Sequence, residues 1–202
     1  IGVLLVFVLI SVAAGMVPFG IGSLISFAIS GPLSVGLAMF FLGIVRGEEV
    51  RFGTMFDGFR RFGTAFGAYF FVQLFVLLWA LLYIVPLVII VFAKVTFPGM
   101  PLGVSMAILS PLLIPVVIAS YAYSLAFFVV ADDPSVGPLK AVTRSRDIMR
   151  GNKGKLFFLF LRFIGWSLLC LLTCGIGFLW LFPYVWASTA RFYDDVRGPA
   201  VP

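Results

Sequence analysis

The chain is predicted to be an all-α, polytopic transmembrane protein, with about five spans joined by short interfacial amphipathic helices. Three observations carry this prediction. Of the 202 residues, 62% are hydrophobic and 11% are charged, against roughly 45–50% and about 25% in a soluble domain. The mean hydropathy is +1.19. The apolar residues are gathered into stretches of membrane-crossing length, since about 20 residues at 1.5 Å per residue match the hydrocarbon core.

Taken in order, the spans are expected over 1–17, 21–45, 65–93, 102–130 and 156–182, all within one membrane domain. The first lacks a basic flank and is not read as a signal peptide. The last three exceed the minimum length and are expected to tilt or kink. Pro86, Pro111 and Pro115 each remove a backbone donor and are expected to bend their helices, and Gly31-Pro32 is expected to interrupt the second span.

The charges gather in two loops. Arg46, Arg51, Arg60 and Arg61 lie between spans two and three, with Glu48, Glu49 and Asp57. Lys140, Arg144, Arg146, Arg150, Lys153 and Lys155 lie between spans four and five, with Asp132, Asp133 and Asp147. With five spans the two loops share one side, and the positive-inside rule makes that side cytoplasmic. The N-terminus is then cytoplasmic and the C-terminus outside, unless a re-entrant last segment returns it.

Each element has its own signal. Gly22, Ser26, Ser30, Ser34 and Ala38 recur every four residues, a small-residue stripe suited to close helix packing in lipid. Packing within the subunit, a homo-oligomer seam and the lining of a substrate path are its three readings. Phe52, Phe56, Phe59 and Phe62, continued by Phe66 and Phe70, fall within about 120° of a helical wheel, with Thr54, Asp57, Arg60 and Arg61 opposite. An interfacial anchor over 51–62 follows, with Phe toward lipid; a gating or partner-binding element is the sharper alternative. A second amphipathic helix is expected over 135–150, started by Asp133-Pro134 or Ser135 and stopped by Gly151-Asn152. Its apolar face is Ala141, Val142, Ser145, Ile148 and Met149. Its basic face, with Lys153 and Lys155, suits anionic headgroups or an acidic partner.

Within the spans, Arg162 is the intramembrane charge, and Gln73 is a polar side chain expected to seek an interior face. Arg162 lies seven residues, roughly 10 Å, beyond Lys155, close enough to snorkel to the headgroups; an interior partner or anionic substrate is the other reading. Trp180, Tyr184 and Trp186 are expected to form an interfacial belt, and Phe182-Pro183-Tyr184 to bend the chain so that 185–193 lies along the outer surface. Cys170 and Cys174, four apart on one apolar helix, read as packing residues.

The exclusions narrow the function. The chain has no histidine, which removes Ser-His and Cys-His catalysis and His-ligated metals. No Asp or Glu falls inside a span, which argues against a carboxylate proton relay. No cofactor or metal is expected, the formal charge of +6 is attributed to lipid headgroups rather than nucleic acid, and the chain is expected not to be an enzyme.

A series of short motifs carries a family resemblance: Phe56-Asp57-Gly58-Phe59 with Phe62; Ile114-Pro115; Ser120-Tyr121-Ala122-Tyr123-Ser124; Ala131-Asp132-Asp133-Pro134; Ala141, Ser145 and Ile148-Met149-Arg150-Gly151-Asn152-Lys153; Lys155-Leu156-Phe157; Phe163-Ile164-Gly165-Trp166; Gly175-Ile176-Gly177; Pro183-Tyr184; and Phe192-Tyr193. In this order they resemble the bacterial integral-membrane family called domain of unknown function 975, over 31–62 and mainly over 111–193. The chain departs from the family at Val116, where Gly is usual, at Ala119, where a basic residue is usual, and at Arg162, where a small one is usual. The resemblance implies a multi-pass protein of the bacterial inner membrane and no particular activity. Two functions are carried forward. One is a non-enzymatic subunit that packs against other membrane chains or itself within a complex. The other is a transporter or channel for a small or lipid-like solute.

Overall fold

A computed structural model describes residues 21–96, 103, 109–173 and 175–198, and every regular element among them is helical. The span expected over 1–17 lies outside the described residues. Four helical stretches among them are long and apolar enough to cross a bilayer: Gly22–Arg46, Phe52–Phe92, Ser110–Asp132 and Lys153–Leu172. The chain is an all-α, polytopic membrane protein.

Helix α1 (Ile21–Arg46) is the central element. It packs against a 3-10 helix (Phe52–Arg61), against α2 (Phe62–Thr96), and against two later helices. The expected interruption at Gly31-Pro32 does not occur, and α1 runs through both residues. The close packing on α1 uses a face other than the small-residue stripe. A Cβ on Gly36 would stand 1.7 Å from the Met55 carbonyl oxygen, and one on Gly58 would stand 2.0 Å from that of Pro32. The two backbones therefore touch, and only glycine permits it. Of the stripe, Gly22 and Ala38 are buried while Ser26, Ser30 and Ser34 are half-buried. Ser30 donates its hydroxyl to the Ser26 carbonyl of its own helix, 2.6 Å away.

The 51–62 segment differs from expectation in its period. At three residues per turn, positions 55, 58 and 61 align, as do 56, 59 and 62. Met55 and Gly58 are buried against α1, while Phe52, Phe56, Phe59 and Phe62 are exposed. Asp57 and Arg60 form an exposed pair at 3.7 Å. Arg61 does not point outward with them, since its guanidinium reaches toward the Val130 carbonyl at 3.5 Å.

The fourth span is two helices, α3 (Leu113–Tyr123) and α4 (Ala126–Asp132), preceded by a 3-10 turn at Ser110–Leu112. Pro111 sits in that turn and Pro115 in the first helical turn of α3, where no donor is missed. The chain breaks instead at Ser124 and Leu125. Beside the break, the fully buried Ser145 hydroxyl donates to the Ala122 carbonyl at 2.9 Å. Ser145 comes from α5 (Pro138–Ile148). The expected start of that helix shifts because the Asp133 carboxylate is engaged elsewhere. It accepts the Ser135 hydroxyl at 2.7 Å and the Ser135 amide at 3.0 Å, and Arg144 approaches at 3.3 Å. The Ser135 bonds hold the Asp133 carboxyl below the usual carboxylate range, and Gly137 becomes the N-cap. Ala141, Val142, Ser145 and Met149 are buried and Ile148 half-buried. The apolar face of α5 thus lies on protein, against α2, α3 and α4, rather than in lipid.

The largest correction concerns 156–182, which is not one helix. Helix α6 (Lys153–Leu172) ends in a turn, and α7 (Phe178–Val196) runs back beside it. Gly175 takes φ +86°, and a Cβ on Gly177 would stand 2.7 Å from Cys170 Sγ. The Thr173 hydroxyl accepts the Gly177 amide at 3.0 Å. The end of α7 therefore returns to the end where α1 and α4 finish. The segment 185–193 enters the bundle rather than lying along its surface. Trp186 is half-buried and stacks on Phe41 at 6.0 Å, so it leaves the expected belt, whereas Trp180 and Tyr184 are exposed.

Candidate functional site

Arg46 ends α1, Asp132 ends α4, and Asp194 and Arg197 stand at the end of α7. The return of α7 brings them together. The Arg46 guanidinium donates to Asp132 Oδ1 at 2.7 Å and forks onto Asp194, with 2.7 Å to Oδ1 and 3.2 Å to Oδ2. Arg197 donates to Asp132 Oδ2 through Nη1 and approaches Asp194 Oδ1 at 3.2 Å through Nε. The fully buried Tyr193 donates its hydroxyl to Asp132 Oδ2 at 3.1 Å. Two arginines and two aspartates close a neutral ring that ties three helix ends.

All four carboxylate oxygens in this ring already accept a charged donor. The forked Arg46–Asp194 geometry is the strong form of such pairs. No acid in the ring is left to relay a proton, so its chemistry is mechanical: it locks helices together. Arg46 appears in the sequence analysis as a loop charge and Asp132 as a counter-charge. Asp194 and Arg197 are missed there, because the expected topology placed them on the opposite side. The available signal was Thr173 followed by Gly175 and Gly177, a turn composition inside an apolar run.

The predicted site residues are distributed as follows. Lys140 is exposed on α5; Arg144 pairs with Asp133, and Arg146 and Arg150 flank Asp147 at 3.9 and 3.7 Å. Lys153 is half-buried. Gln73 is exposed on α2 rather than interior, because its neighbour Val72 takes the inward face beside Ala126 and Val142. Arg162 lies outside the core and makes no ion pair among the described residues. It lines an open cleft of about 450 Å³ between α6 and α7 with Lys155, Phe158, Leu159, Ser188, Arg191, Phe192 and Asp195.

A second cavity, of about 590 Å³, lies at the opposite end of the same hairpin. Trp166, Cys170, Trp180 and Tyr184 contribute to its apolar lining. Cys170 is a buried free thiol, and its expected neighbour on the same helix, Cys174, falls outside the described residues.

The family model described as protein of unknown function (DUF975) matches residues 1–200. No curated protein and no solved structure matches the chain.

Proposed function

The chain belongs to the DUF975 family, and from that premise we propose that it is a non-enzymatic membrane subunit that packs against other transmembrane helices in a larger complex. One observation carries this reading. From Gln73 to Phe92 no residue of α2 is buried. That is 20 residues, about 30 Å at 1.5 Å per residue: one face, at Val76, Tyr83 and Leu87, is half-buried and Phe75 meets Tyr123 of α3 with ring centroids 5.7 Å apart, while Leu77, Leu78, Leu81, Leu82, Val85 and Ile89 leave the other faces exposed over a full membrane thickness. Its other end is fastened by the 3-10 helix, α1 and α5. A rigid base that holds out a long apolar helix suits association inside a membrane.

The apolar packing of the core at the basic end supports this reading over solute transport. Among the described residues the buried polar side chains are Ser145 and Thr189, and both donate to backbone carbonyls. The family resemblance supports a bacterial inner membrane, and the charge distribution supports the basic end as cytoplasmic. The test is mild-detergent extraction from native membranes, followed by particle mass and identification of co-purifying chains. A stoichiometric foreign complex, disrupted by Leu78→Arg with Ile89→Arg, is the expected result. A particle containing only this chain would overturn the proposal.

A further inference from the structure

We propose that the cleft between α6 and α7 binds the phosphate of an anionic glycerophospholipid. Lys155 and Arg162 line it from α6, and Ser188 and Arg191 line it from α7. Asp195 is the one acid among the lining residues, so three cations face one carboxylate. None of the three makes an ion pair or side-chain hydrogen bond among the described residues, unlike the arginines of the neighbouring ring.

Unpaired guanidinium groups beside one another repel, and an oxyanion between them relieves that repulsion. Arginine presents a planar fork of donors that matches phosphate. The depth fits a lipid. Lys155 lies in the first turn of α6, and Arg162 stands roughly 10 Å further along the axis, so the cleft runs from headgroup level into the hydrocarbon region. The walls fit acyl chains. Phe158 lines the cleft and is 65% exposed; Leu161, Leu168 and Leu172 are exposed within about 80° of it on the α6 wheel. A phosphate held by Lys155, Arg162 and Arg191 leaves its two chains on that strip.

The full chain, in detergent containing equal phosphatidylglycerol and phosphatidylcholine, tests this by native mass spectrometry of retained lipid. Phosphatidylglycerol should be retained over phosphatidylcholine by more than about fivefold. Each basic residue contributes about fivefold at an anionic lipid, so Arg162→Gln with Arg191→Gln should lower retention about twenty-five-fold. Arg51→Gln, an exposed cation outside the cleft and outside the basic face of α5, is the charge control and should leave retention unchanged. Asp195→Asn removes the acid and should raise retention, a gain that misfolding cannot mimic. Equal retention of the two lipids, or a loss from Arg51→Gln as large as that from Arg162→Gln alone, would overturn the site. Displacement by equimolar glycerol phosphate would also overturn the lipid assignment, since a soluble phosphate ester would then suffice.

Discussion

The basic end of the bundle and its far end both contain apolar helix but are built in opposite ways. At the basic end α1, the 3-10 helix, α4, α5 and the end of α7 enclose a continuous core around Val35, Leu37, Met55, Leu125, Val129, Met149 and Tyr193. At the far end most of α2 is exposed, and α6 and α7 share a small cluster around Phe163, Cys170 and Leu181. Hydrophobicity does not separate the two ends, because lipid satisfies apolar side chains as well as protein does. What separates them is backbone contact at glycine and charges placed to meet. In a membrane these two features, rather than apolar burial, decide where a bundle closes.

The contrast predicts where substitutions hurt. The largest effect is expected at Gly36→Val, whose side chain would enter the Met55 backbone. A loss of about 3 kcal/mol is expected, the upper end of overpacking, read as a fall in the melting temperature of the detergent-solubilised chain. Gly53→Ala, where a Cβ meets nothing within 4 Å, serves as the control, and equal losses would refute backbone contact as the cause. Next comes Asp132→Asn, which leaves Arg46 and Arg197 with a neutral partner. The Asp132 side chain is 14% exposed, so a loss of roughly 1–3 kcal/mol is expected. Raising the salt concentration should erase little of it, whereas a screened surface pair would respond strongly.

Tyr193→Phe removes one hydroxyl from the ring and keeps the aromatic packing on Phe128, whose ring centroid is 5.8 Å away. A cost of about 0.5–1.5 kcal/mol is expected, and a double-mutant cycle with Asp132→Asn should show most of it as coupling. The smallest effect belongs to the far end. Ile89→Ala, at a side chain 61% exposed, should change the stability of the isolated chain by less than about 0.5 kcal/mol. A loss comparable to that of Asp132→Asn would show that this outer face of α2 is packed.

Much of the architecture was legible because its signals are local. The apolar lengths mark the spans, and the basic loops mark one end. The alternation of Ala141, Val142, Ser145 and Met149 with Lys140, Arg144 and Arg146 marks α5 as an amphipathic helix. The same signals could not say what the apolar face of α5 touches, since lipid and protein select the same residues. The Phe series over 52–62 read as an α-helical wheel, and its division into three faces follows from a 3-10 period that composition does not specify. Gln73 and Trp186 were placed by type, and their neighbours decided otherwise.

The candidate site was legible only in its parts. Arg46, Asp132, Asp194 and Arg197 are far apart in the chain, and no spacing rule connects them. Their meeting depends on one turn at Gly175–Gly177, which converts an expected span into a hairpin and moves the chain end to the opposite face. The sequence by itself determined the solvent, the helical class and the polarity of charge along the membrane normal, because these are sums over residues. Tertiary structure decided the ring of four charges, the cleft at Arg162 and the exposed outer faces of α2. These are relations between distant residues, set by backbone approach at Gly36 and Gly58 and by the reversal at Gly175, which a sum over residues does not contain.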